Sequence, residues 1–459
     1  MQYKDFLKRK TIKDSPCGFS VDSVNDMLFD FQGDIVKWAL ARGRASIFAD
    51  CGLGKSPMQL AWAYEVLRNK GDVLIVAPLA VSAQTHREGI KFGVEANYSR
   101  NGKKSSSGIT ITNYEMLHLF NPADFEGIVL DESSILKSYT GKYRNQLIDE
   151  WSAVPHRLCC TATPSPNDLM ELGNHAEFMG AMTRAEMLSM FFVHDGGETQ
   201  KWRLKGHAVD DFWKWVCSWA VMIRKPSDLG YDDDKFILPP LNMKEITVDV
   251  DHTTASTNLF HMEAKTLQER QRARKESTLD RCTMAASVAN ALDEPLLIWC
   301  DRNDESATLK KLINNSCEVK GADKPEYKEK SMLGFSDGSV QKLISKPSIC
   351  GYGMNWQHCS KVIFVGLSDS YEKFYQAIRR TWRFGQTKPV DCYIITSVRE
   401  GAVVANIKRK EIQAKEMANG MVKNMHVYNE KNIKGTSRTV TGYMPQEKMI
   451  IPKWLKEQK

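Results

Sequence analysis

Short apolar runs separated by longer amphipathic stretches set the rhythm of this 459-residue chain. In the first half the runs are Ala45 to Ala49, Val73 to Ala77, Ile109 to Thr112, Ile128 to Leu130 and Leu158 to Cys160, with helix-like segments between them. Continuous apolar runs mark strands buried on both faces, and their alternation with helices marks a parallel α/β sheet. The second half repeats the theme with Leu296 to Cys300, Gln341 to Ile344, Lys361 to Val365 and Cys392 to Ile395. The pattern predicts two α/β lobes.

Between them, from about Leu169 to Trp219, the pattern becomes helical and rich in Met, Phe and Trp, and Phe212 to Trp219 alone holds three tryptophans. Such a segment reads as a helical insertion whose aromatics pack against the parent lobe rather than stack on nucleic acid. Gly230 to Lys235, followed by Leu238-Pro239-Pro240, is polar and then Pro-rich, the composition of a linker. The boundaries that follow are a first lobe over 1–235 with its insertion at about 169–225, a linker over 236–241, and a second lobe with tail over 242–459. Leu267 to Ala291 reads as one long charged helix, and Lys103 to Gly108 as an exposed loop or hairpin tip.

Composition narrows the picture only moderately. The 63 Lys and Arg against 56 Asp and Glu give a net charge of +7, which permits a polyanionic partner without demanding one. Eleven cysteines, mostly scattered singly and often within apolar runs, show no C-x₂-C ligand spacing and read as reduced thiols. The charged first residues lack the apolar core of a signal peptide, and no stretch is long and apolar enough to span a membrane. A cytoplasmic protein that is not exported is expected.

The chemistry begins where Ala45 to Ala49 runs into Asp50-Cys51-Gly52-Leu53-Gly54-Lys55-Ser56. Glycines at 52 and 54 allow a tight turn that points backbone N–H groups at one spot, and the following helix adds the positive end of its dipole. Lys55 can then reach the β- and γ-phosphates of a nucleoside triphosphate, while Ser56 offers a hydroxyl to Mg²⁺. One position departs from the strict pattern, Ala49 standing where glycine is usual.

Ile128-Val129-Leu130 ends in Asp131-Glu132, carboxylates at a strand end facing the same crevice. Asp131 is placed to hold the magnesium through its waters, and Glu132 to orient and deprotonate an attacking water. Leu158 to Pro164 is a strand running into a polar turn with Thr161 and Thr163. Near the other end, Gln376, Arg380 and Arg383 fall at i, i+4 and i+7, hence on one face of a predicted helix. Two guanidinium groups so arranged can offset charge on a γ-phosphoryl group in flight.

Taken in order, these segments resemble superfamily 2 helicases, and specifically the Swi/Snf-type branch of double-stranded DNA translocases. Phe31-Gln32 looks like the adenine-reading glutamine motif, and Asp50 to Ser56 like motif I. Ala77-Pro78-Leu79 with Glu88 is similar to motif Ia, and Thr112-Asn113-Tyr114-Glu115 to motif Ib. Asp131 to Ser134 resembles motif II, Thr161 to Pro164 motif III, Leu297 to Cys300 motif IV, Gly351 to Trp356 motif V, and Gln376 to Gln386 motif VI. Gly385-Gln386 is the most branch-specific part, supported by Arg224-Lys225 and the linker. Three departures stand out: Ser133-Ser134 replaces the usual alanine-histidine, Trp382 a histidine, and Arg379 an aspartate. Short members with the D-E-S-S form look like those encoded by phages and prophages.

The resemblance implies two RecA-like P-loop lobes with ATP and Mg²⁺ in the cleft. Its catalytic set is Lys55, Asp131, Glu132, Gln376, Arg380 and Arg383, and its nucleotide set Gln32, Gly52, Gly54, Lys55, Ser56 and Gly353. Ser56 and Asp131 are implied at the metal, and Thr112, Asn113, Thr161, Thr163 and Asn355 at nucleic acid. The implied partner is double-stranded DNA, bound through phosphates with little sequence preference by a monomer, with phage or host replication or recombination proteins as further partners. Two other readings stay open: a strand-separating helicase on DNA or RNA, and a nucleotide-gated DNA-binding or recruitment protein that moves little.

Overall fold

The computed structural model describes residues 17–104, 108–137, 140–165, 168–194, 202–249, 267–350, 354–368 and 370–433. The first lobe begins with strands β1 (Arg44–Ala49), β2 (Val73–Ala77), β3 (Ala96–Tyr98), β4 (Ile109–Asn113), β5 (Gly127–Asp131) and β6 (His156–Thr161). An antiparallel hairpin, β7 (Phe192–His194) with β8 (Trp202–Leu204), stands apart from them, and β9 (Ala220–Ile223) completes the lobe. Seven strands form one sheet in the order β3-β4-β2-β5-β6-β1-β9, all parallel. The second lobe carries β10 (Leu241–Val248), β11 (Leu296–Trp299), β12 (Ser316–Glu318), β13 (Lys342–Ser345), β14 (Lys361–Val365) and β15 (Val390–Ser397). These form a six-stranded sheet in the order β10-β15-β14-β11-β13-β12, again all parallel. This is the fold of two RecA-like lobes.

Every residue of β2, β4, β5 and β6 is buried, the physical basis of their continuous apolar runs. Apolar layers cover both faces of each sheet. On the first sheet one layer is built around Trp62 and Ile35, the other around Trp151, Phe178 and Trp219.

The insertion comprises helices Leu172–Met179, Arg184–Phe191 and Val209–Trp219 with the β7–β8 hairpin. Its aromatics pack as expected, since Phe212, Trp213, Trp215 and Trp219 are all buried in the first-lobe core. The insertion is shorter than the sequence suggests, because Ala220–Ile223 is not helical but pairs with β1 at the sheet edge. The strand follows its helix without a polar break, so one apolar run conceals a change of structure. At the far edge of the second sheet, β10 reads poorly for another reason: most of its residues are exposed or half-exposed, so no apolar run marks it.

The long charged helix divides into Leu267–Glu276 and Thr278–Asn290, interrupted at Ser277, whose hydroxyl donates back to the Ala273 carbonyl at 2.9 Å. The linker is docked rather than free. Phe236 stacks among aromatics of both lobes, and the Pro239 carbonyl accepts from Trp382 Nε1 at 2.7 Å. Beyond β15, a 33-residue helix, Gly401–Ile433, leaves the second lobe and returns to the first. Val403 and Ile407 belong to the second-lobe core, whereas Met421 and Met425 are buried in that of the first. Among the described residues no helix is long and apolar enough to cross a membrane.

Candidate functional site

Parallel pairing places all strand C-termini of a sheet on one edge, and that edge of the first lobe gathers the loop after β1 and the carboxylates ending β5. Gly52 and Gly54 have φ of 92° and 78°, values that favour glycine. Space requires it as well. A Cβ on Gly54 would come within 2.2 Å of Gln32 Nε2, and one on Gly52 within 3.0 Å of the Phe384 backbone nitrogen of the second lobe. Gln32 is itself a buttress: its Nε2 donates to the Leu53 carbonyl at 2.9 Å, and its Oε1 accepts from the Phe29 backbone at 3.0 Å.

Lys55 opens the helix Lys55–Asn69, and its ammonium rests on the Ala49 carbonyl at 3.0 Å. Ser56 and the Asp131-Glu132 pair line the same cleft. Asp131 Oδ1 accepts from Gln59 Nε2 at 2.7 Å and from the Glu132 backbone at 3.0 Å, while Tyr114 Oη donates to the Asp131 carbonyl at 2.7 Å. Glu132 has a φ of 49°, a left-handed conformation that costs on the order of 1–3 kcal/mol in a non-glycine residue and is held only by firm surroundings. Its Oε2 is buried without a hydrogen-bond partner among the described residues. Burial raises the carboxyl pKa of both Asp131 and Glu132, and Lys55 opposes the rise in each.

The facing wall comes from the second lobe. The predicted helix ends early, at Ile378, so Arg380 and Arg383 lie in the turns beyond it rather than on one helical face. The Thr381 hydroxyl takes the Ile378 carbonyl at 3.1 Å, and the Trp356 backbone takes that of Arg380 at 2.9 Å, which stops propagation. Gln376 and Arg380 nevertheless meet at 3.0 Å, and Gln386 pins the turn through the carbonyls of Cys359 and Thr381. Arg383 makes no ion pair with the described residues. Burial, then neighbouring Arg380, brings its pKa down to about 10, which leaves it charged at neutral pH. The cleft holds about 390 Å³ and is lined by Gly52, Gly54, Lys55, Asp131, Glu132, Arg380 and Arg383 among others, a size suited to a small-molecule ligand.

Several residues outside the catalytic and nucleotide sets expected from the sequence join this site. Arg379 donates to Asp50 Oδ2 at 2.7 Å across the lobe boundary, and Tyr375 Oη donates to the other oxygen of the same carboxylate. Burial opposes the Arg379 charge, yet Asp50 and Tyr375 more than offset it and its pKa rises. Glu88 lines the cleft and accepts from Asn355 at 3.4 Å. Gln59 was findable, since it lies one helical turn beyond Lys55. His175 carried no local signal; it is buried 3.1 Å from Ser133 Oγ, and burial pushes its pKa down to about 4.

A second groove between the lobes, about 690 Å³, is lined by Leu79, Tyr114, Glu115, Lys137, Lys328 and Met354 among others. None of the five nucleic-acid candidates lines it. Thr112 is buried and donates to the Ser99 carbonyl at 3.0 Å; Asn113 is buried and caps the following turn through the Met116 backbone. Thr161 accepts from the Thr163 backbone at 3.1 Å, the Thr163 hydroxyl is buried, and Asn355 lines the cleft around Lys55 instead. Their chain neighbours Tyr114, Glu115 and Met354 line the groove. Gly353 lies outside the described residues, as do Gly351 and Tyr352. All eleven cysteines are free thiols.

Residues 275–385 match the family model described as the helicase conserved C-terminal domain. The match lies wholly within the second lobe and makes that segment similar to the C-terminal domain of helicases. No curated protein sequence matches the chain.

Proposed function

We propose that this protein is a DNA-dependent ATPase of the Swi/Snf type that translocates along double-stranded DNA. The observation that carries the reading is one cleft with Lys55, Asp131 and Glu132 on one wall and Arg380 and Arg383, from the other lobe, opposite. In this reading Lys55 and the loop N–H groups hold the β- and γ-phosphates. Glu132 orients the attacking water and takes its proton, which its partnerless buried oxygen suits. Arg380 and Arg383 offset charge as the γ-phosphoryl group transfers.

Ser56 and Asp131 would hold Mg²⁺, an oxygen-only pair of the kind that binds this ion together with phosphate. When bound, the ion supplies neutralisation of phosphate charge. Because the arginines belong to the second lobe, cleft closure and turnover are coupled, and cycles of closing move the lobes along the DNA backbone. The groove lined by Leu79, Tyr114 and Lys137 is the proposed path of one strand. The branch assignment is supported by the Gly385-Gln386 ending, whose glutamine anchors the arginine-bearing turn.

Turnover by the purified protein should rise at least several-fold on adding duplex DNA, with a weaker response to single strands or RNA, and fall with increasing salt. Rates indifferent to duplex DNA would overturn the reading. A triplex-displacement assay run beside a forked-duplex unwinding assay separates translocation from strand separation.

A further inference from the structure

The loop after Asp131 is tied down at both ends by two consecutive residues of one helix. Ser133 Oγ lies 3.1 Å from His175 Nε2, and both residues are fully buried. Four residues further on, the Lys137 carbonyl accepts from Asn174 Nδ2 at 3.1 Å. Asn174 and His175 sit within Leu172–Met179, the first helix of the insertion, which is anchored in the first-lobe core by Leu172, Ala176 and Phe178. The His175 ring meets Phe48 of β1 edge to face at 5.3 Å, so it has little freedom to turn.

Glu132, with its left-handed backbone, immediately precedes the first tie, and the short turn Ser133–Lys137 runs from one tie to the other. At its far end the Lys137 ammonium pairs with Glu372 of the second lobe. A strained residue persists only where its surroundings over-determine it, and the first side-chain anchor after Glu132 is the Ser133 hydroxyl. The loop itself carries serines at 133 and 134, and the imidazole comes from a neighbouring helix.

We propose that Asn174 and His175 form a clamp that holds the Glu132–Lys137 loop in the conformation aiming Glu132 at its water, with His175 as a positioning residue. The proposal rests on the ATPase reading of Glu132. It also gives the Lys137–Glu372 contact a fixed seat, so that the approach of the second lobe bears on a loop that cannot slide.

The test uses the full-length protein with Ser133→Ala, His175→Gln and the double variant. Steady-state ATPase kinetics, fluorescent ADP affinity and thermal midpoints are measured together. A misaimed base lowers kcat without disturbing binding, so each single variant should lose about 10- to 100-fold in kcat, with KM and ADP affinity within about twofold of the parent. The double variant should be no slower than the slower single one, because both remove the same tie. Unchanged kcat in Ser133→Ala, or independent losses that multiply in the double variant, would overturn the clamp. If His175→Gln does not fold, Ser133→Ala decides alone, since it removes one oxygen. If the parent shows no turnover, the ATPase reading fails, and hydrogen exchange over residues 132–137 then judges the clamp. Exchange should quicken in Ser133→Ala, and unchanged exchange would count against it.

Discussion

Glu132 combines an unusual backbone, a buried carboxylate and a position facing two arginines from the other lobe. Substituting it with Gln keeps the shape and removes the basicity, so turnover should fall at least 100-fold while nucleotide binding survives. Lys55→Ala should abolish both turnover and tight binding. Parallel ATPase and fluorescent-nucleotide titrations check the pair, and full activity in either variant would sink the site assignment. Acid sensitivity follows from the raised carboxyl pKa of Glu132, caused mainly by burial. A raised pKa keeps the inactive protonated form populated to higher pH. The acid limb of kcat should therefore bend above the usual glutamate value of about 4.3, and a profile flat down to that pH would contradict the assignment. Residues of this kind were legible because Lys55 follows a glycine turn leading out of one apolar strand and Asp131-Glu132 closes another. His175 was not, because only the fold brings it 3.1 Å from a serine 42 positions earlier.

Among elements, the turn after Ile378 presses the second lobe onto the phosphate loop. Arg379 and Tyr375 grip the Asp50 carboxylate, and Phe384 lies over Gly52 and beside Phe29 and Phe236. Removing one partner of a buried ion pair leaves the other charge uncompensated, which costs about 3–5 kcal/mol. Arg379→Ala should accordingly raise the KM for ATP and lower the thermal midpoint. Joint replacement as Asp50→Asn with Arg379→Gln should cost less than the two single changes summed, and strict additivity would show that the pair is not coupled. The departure from aspartate at position 379 was visible in the sequence. Its meaning was not, because the partner lies 329 positions away. Central strands were equally visible, as their burial on both faces writes itself into unbroken apolar runs. Edge strands such as Leu241–Val248 were hidden, for one row of hydrogen bonds and a half-wet surface impose no such pattern.

Across the whole molecule, the chain that leaves the second sheet does not end there. The helix Gly401–Ile433 crosses to the first lobe, where Met417 receives the Ser165 hydroxyl at 3.3 Å, Met421 and Met425 are buried, and His426 Nδ1 lies 2.6 Å from the Asp228 carbonyl. Truncating a buried methionine to alanine costs about 2–5 kcal/mol, so Met421→Ala with Met425→Ala should loosen this attachment well before either sheet unfolds. Limited proteolysis should then cut within 409–433, whereas the parent helix resists. Equal resistance would mean that the contact contributes little. At about 1.5 Å per residue the helix spans about 50 Å, and it is fastened near both ends. It therefore acts as a tie-rod between two jaws. Any gape of the jaws must swing about its ends or tear one loose, so the stroke that the proposed translocation cycle would use is bounded by a rod of fixed length lying outside the cleft.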